Sequence, residues 1–102
     1  MNKTIKIGPQ TFDIVTERDL HRGSDGLDGW IRFYNSIISL DDRLNEFGSY
    51  QVLWHEIVHA LFTMAGIEPS KVPEEAVDAL AYGIMNVLQN NKWLAIETSD
   101  LK

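Results

Sequence analysis

The chain has 102 residues, of which 44% are hydrophobic and 24% charged, and fifteen acidic residues against nine basic ones give a formal net charge of −6. That length suits one domain with a single modest core, so one domain over residues 1–102 is expected. The acidic balance and scattered Lys and Arg argue against a nucleic-acid partner, and the absence of cysteine excludes disulfides, thiolate nucleophiles and zinc knuckles, leaving His, Asp or Glu for any metal.

The start of the chain, Met1 to Pro9, lacks the apolar run of a secretory signal, and no stretch approaches the ~18 consecutive apolar residues of a membrane span. A cytoplasmic protein without a membrane partner is the expectation. Thr4 to Ile7 alternates briefly and stops at Gly8-Pro9, a turn signal; Thr11 to Val15 resumes the alternation, which predicts a hairpin. Arg22 to Gly29 holds three Gly and two Asp and reads as a mobile loop. Trp30 to Tyr34 and Ser36 to Leu40 are rich in aromatic and β-branched residues, which predicts two further strands joined at Asn35.

From about Leu44 the period changes. Phe47, Val52, Leu53, Trp54, Ile57, Val58, Leu61, Phe62 and Met64 recur at helical spacing as far as Ala65. Asp41 or Asp42 is the expected cap. Gly66-Ile67 with Pro69 beyond forms a helix stop, in which Gly takes the left-handed position and Ile folds back on the last turn. Pro73-Glu74-Glu75 opens a second amphipathic helix, with Pro at the first position and two acids at the positive end of the dipole. It carries Val77, Leu80, Ala81, Ile84, Met85 and Leu88 to about Asn90. Leu53, Trp54, Ile57, Leu61, Met64, Leu80, Ile84 and Leu88 are the expected helical core. The pattern predicts an α+β fold: a small antiparallel sheet followed by two helices.

Chemistry concentrates in Trp54-His55-Glu56-Ile57-Val58-His59, an H-E-x-x-H pattern inside the first helix. Histidines four apart share a helical face and can aim both imidazoles at one point. Glu56 lies about 100° round the helix, where a carboxylate can reach a water without displacing it. A catalytic zinc needs a third protein ligand. His21 lies far upstream beside the Gly-rich loop, so a carboxylate from the second helix is the better candidate, among Glu74, Glu75 and Asp78. Glu74 and Asp78 share a face, which suggests that Glu74 binds metal while Asp78 accepts the Nδ1 proton of a ligating His. Glu75 points towards solvent. Tyr82 continues the same stripe; it is a candidate donor to an oxyanion, with packing of the helix pair as the simpler role. His21 and Tyr50 are expected at the surface.

His55-Glu56-Ile57-Val58-His59 followed by Glu74-Glu75-Ala76-Val77-Asp78 resembles the gluzincin branch of zinc metallopeptidases. Their signature is H-E-x-x-H and then a Glu that opens an E-x-x-x-D segment on the next helix. Within that branch the chain looks most like the minimal zincin domains of phage and bacterial proteins, including the ImmA/IrrE-type peptidases. The resemblance implies that His55, His59 and Glu74 are Zn2+ ligands, Glu56 the general base and Asp78 the hydrogen-bond partner of His55. It also implies a protein or peptide substrate. In zincins the strand before the active-site helix is usually an edge that pairs with extended substrate, which here falls on Ser36, Ile37, Ile38, Ser39 and Leu40. Two departures from the large thermolysin-like enzymes are expected: a shorter connector before Glu74, and, within these 102 residues, no downstream segment to supply their extra Tyr and His.

The alternative is a zinc-stabilised, catalytically silent binding or regulatory protein, because bound metal can supply much of a small domain's folding energy. A structural site, however, closes its fourth position with protein, and no fourth ligand is evident in this sequence.

Overall fold

The computed structural model describes residues 3–18, 20 and 28–94. Four strands, β1 (Lys3–Ile7), β2 (Gln10–Glu17), β3 (Gly29–Arg32) and β4 (Ile37–Asp41), form one sheet. Two helices follow, α1 (Glu46–Met64) and α2 (Glu74–Asn90), with short 3-10 turns at Pro69–Lys71 and Lys92–Leu94. The α+β expectation holds. Most of the expected loop, and His21 with it, lies outside the described residues.

β1 and β2 form the expected hairpin, closed by Gly8-Pro9 with Ile7 opposite Gln10. Gly8 has φ +59°, which its missing Cβ permits. Beyond the hairpin the sheet departs from expectation. Its order is β1-β2-β4-β3: β4 runs parallel to β2 and antiparallel to β3. The sheet is therefore mixed. The connection after β2 is long enough to carry the chain past one strand position, and β4 then fills the gap through a short turn. Gln10 ties that turn to the hairpin, its amide donating to Phe33 O at 2.6 Å and to Ser36 Oγ at 2.9 Å.

This order corrects one site assignment. Ser36 to Leu40 cannot be a substrate-binding edge, because β4 is paired on both sides and Ile38, Ser39 and Leu40 are buried. Ser36 itself belongs to the turn, with φ +57°. Among the described residues β3 has no second neighbour and is the edge next to α1. Gly29, expected at the end of a loop, opens that edge strand.

The helix α1 lies between the sheet and α2. One side packs Ile57 and Ala60 with Phe12, Ile38, Leu40 and Ile7, and the other packs Val58 with Val77 and Ala81. Trp54 touches both clusters. Of the expected helical core, Ile57 is buried, and Leu53, Trp54 and Ile84 pack against the clusters. Leu61 and Leu80 instead stay 48% and 45% exposed, and Met64 is also exposed. The helices meet through Val58, Val77 and Ala81 with Trp54, Phe62 and Ile84 packed around them, and Leu61, Met64 and Leu80 stay outside that cluster.

Capping explains where the helices stand. Asn45, not Asp41 or Asp42, caps α1: its side chain accepts from Gly48 N at 2.7 Å. Asp41 is buried at the end of β4 and accepts from Arg43 N at 2.9 Å and Nε at 3.2 Å. At the other end Gly66 takes φ +83°, its N–H donating to Thr63 O and that of Ile67 to Phe62 O, each at 3.0 Å. This is the expected Schellman stop. Pro73 stands at the N-cap of α2 and not at its first helical position, so the helix opens one residue later than expected, with Glu74 and Glu75 in its first turn.

Candidate metal centre

The reversal between Gly66 and Pro73 lays the start of α2 beside the middle of α1. His55 and His59, one turn apart, face Glu74 and Asp78, one turn apart on the second helix. His55 Nε2 lies 2.9 Å from Glu74 Oε2, His59 Nε2 lies 3.0 Å from Glu74 Oε1, and the two Nε2 atoms are 3.1 Å apart. His55 Nδ1 lies 2.6 Å from Asp78 Oδ1.

These distances constrain the protons. A proton on Nδ1 of His55 would be donated to Asp78, and Nε2 of the neutral ring would then present its lone pair. At 2.9 Å from that lone pair stands another acceptor, Glu74 Oε2. Two acceptors approach this closely only with a proton or a cation between them. The cluster also has the dimensions of a metal site: ligands ~2.05 Å from a shared zinc, at tetrahedral angles, stand roughly 3.3 Å apart. The donor set, two imidazoles and a carboxylate, is one that zinc accepts. His55, His59 and Glu74 thus form a group able to hold a metal ion.

Glu56 sits beside this group but belongs to the sheet side of α1, and only 6% of it is exposed. Burial pushes its carboxyl up from 4.5 to about 7; His55 opposes the rise, Glu74 adds to it, and the Ile31 backbone N–H opposes it. A cation at the cluster would pull it back down. The N–H that reaches Glu56 comes from the free edge of β3. Asp28 O accepts from Asp41 N at 2.8 Å, so Asp28, Trp30 and Arg32 turn their backbone groups towards β4. Gly29 and Ile31 turn theirs outward.

The remaining candidates stand apart. Glu75 is exposed, as expected for a residue that only favours the helix start. Tyr82 is 47% exposed and makes no hydrogen bond to the cluster. Tyr50 is exposed as expected. The sequence reading missed the part played by Gly29 and Ile31; the available signal was the continuous run Ile37-Ile38-Ser39-Leu40, which marks an interior strand and so moves the edge to its neighbour.

Comparison of the chain with family models, with curated proteins and with solved structures finds no match. Among the described residues no helix is long and apolar enough to cross a membrane.

Proposed function

We propose that this chain is a small zinc-dependent peptidase of the gluzincin kind, which hydrolyses amide bonds in extended protein or peptide substrates. The observation that carries the reading is the meeting of His55 Nε2, His59 Nε2 and the Glu74 carboxylate within 2.9–3.1 Å of one another, beside a buried Glu56. Zn2+ held by these three side chains would acidify a water and polarise a substrate carbonyl.

The chain's own residues supply the other parts of the reaction. Asp78 fixes the tautomer of His55 and raises the basicity of its Nε2. Glu56 takes a proton from the attacking water and delivers it to the leaving nitrogen. Apart from the Ile31 N–H, which donates to Glu56, the outward backbone groups of Gly29 and the Ile31 C=O give an extended peptide a strand edge to pair with, beside the helix that carries Glu56. Tyr82 is left out of this scheme because no hydrogen bond joins it to these groups.

The test pairs zinc analysis after dialysis with turnover of a fluorogenic peptide library by the wild type and Glu56→Gln. Cleavage by the wild type, abolished in Glu56→Gln with one zinc retained, supports the reading. Zinc retained without any cleavage assigns the chain to the zinc-stabilised binding proteins instead, and absence of zinc removes both.

A further inference from the structure

Position 29 has no side chain where the edge strand meets the H-E-x-x-H helix. Gly29 is buried and sits opposite Leu40, on the face of the sheet that packs against α1. A Cβ built there would stand 2.4 Å from Val52 Cγ1 and 3.4 Å from both Cγ and Oε2 of Glu56. The first separation is closer than packed carbon atoms tolerate. Gly8 and Gly66 are the described glycines with positive φ; Gly29 has an ordinary strand backbone, so close approach is what requires glycine here. Val52 and Glu56 are one helical turn apart on the same side of α1. The edge strand therefore rests on this side of the helix through bare backbone, at the turn that bears the buried carboxylate. Two residues further on, the outward N–H of Ile31 meets that carboxylate.

We propose that Gly29 is a positioning residue: its missing side chain sets how closely the free edge of β3 lies on α1, and so fixes Glu56 against the backbone with which substrate would pair. The consequence for turnover rests on the peptidase reading above; the geometric claim does not. A methyl group at position 29 must displace either Val52 or the strand. Displacement of the strand lifts the Ile31 N–H off Glu56 and leaves the carboxylate free to swing. His55, His59 and Glu74 lie on α1 and α2, so the metal ligands themselves are untouched.

The experiment compares Gly29→Ala, Val52→Ala and the double variant with the wild type. Val52→Ala removes the atom that stands at 2.4 Å, so it should relieve the first change. In Gly29→Ala, Zn2+ affinity should stay within about twofold, while kcat on the library peptide that the wild type cleaves falls about 10- to 100-fold, the usual effect of misplacing a reacting group by an ångström. The double variant should recover most of that loss, and Val52→Ala alone should stay near wild type. An activity-independent arm follows the Ile31 amide resonance. Glu56→Gln should shift it in the wild type, leave it nearly unmoved in the Gly29→Ala background, and shift it again in the double variant. If the wild type cleaves nothing, the peptidase reading fails while the amide arm still decides the positioning claim. Wild-type kcat together with an unchanged Ile31 response in Gly29→Ala overturns the claim. So does a Gly29→Ala chain that fails to fold, or one whose defect Val52→Ala does not relieve.

Discussion

His55 Nδ1 lies 2.6 Å from Asp78 Oδ1, a contact that joins the middle of α1 to the second turn of α2. It orients the ring so that Nε2 faces Glu74 and His59, and a proton donated along it would leave Nε2 free to bind a cation. Asp78→Ala should therefore weaken Zn2+ binding about 10- to 100-fold while the fold persists, since the Asp78 side chain is 71% exposed and contributes little packing. Competition against a chromophoric chelator measures the affinity, and circular dichroism checks the fold.

Glu74 and Glu75 are neighbours with opposite expectations. Glu74 touches both imidazoles, whereas Glu75 is exposed and outside the cluster. Glu74→Ala should leave the chain without bound zinc after dialysis, and Glu75→Ala should retain it within about twofold of wild type, because its only role is a dipole effect worth roughly 0.3–1 kcal/mol of helix stability. Zinc content by atomic absorption distinguishes the two.

The buried carboxyl of Glu56 makes the metal-free protein sensitive to pH. Its folded-state value rises from 4.5 to about 7, chiefly through burial. Between those values the folded chain binds more protons than the unfolded one. Stability from this group is therefore greatest below about pH 4.5, falls as the pH climbs to 7 and stays reduced above it. Glu56→Gln removes the charge and keeps the shape. In the presence of a chelator it should stabilise the chain by up to about 3 kcal/mol at pH 8 and by little at pH 4.5. Urea midpoints at the two pH values give the comparison.

Gly66 holds the turn that brings Glu74 back to the histidines. Its φ is +83°, and an added Cβ would meet nothing within 4 Å, so the cost of Gly66→Ala is conformational alone. The variant should lose about 1 kcal/mol of stability in urea unfolding and still bind one zinc.

Local features were legible in the sequence and long-range pairing was not. The Gly8-Pro9 hairpin, the Schellman stop at Gly66-Ile67 and the shared helical face of Glu74 and Asp78 all depend on residues close to each other in the chain, where spacing fixes geometry. The position of β4 between β2 and β3 depends on a connection of some ten residues, whose sequence does not say where it lands. Ser36 to Leu40 read as an edge because the resemblance puts an edge strand just before the active-site helix, and nothing local in the sequence placed β3 outside it. Asp41 read as a helix cap because acidic residues before a helix usually serve so, but β4 extends to Asp41 and buries it, and Asn45 caps the helix instead. Gly29 was hidden by its company: in a stretch of glycines one more signals a loop, and only its distance to Val52 and Glu56 reveals a strand packed through its backbone.

The most direct measurement is anomalous diffraction at the zinc edge from crystals grown with Zn2+. The account predicts one strong peak bounded by His55 Nε2, His59 Nε2 and the Glu74 carboxylate, each about 2.0–2.2 Å away, with solvent in the remaining position. A peak elsewhere on the chain, a fourth protein ligand closing the shell, or no peak at all would contradict it.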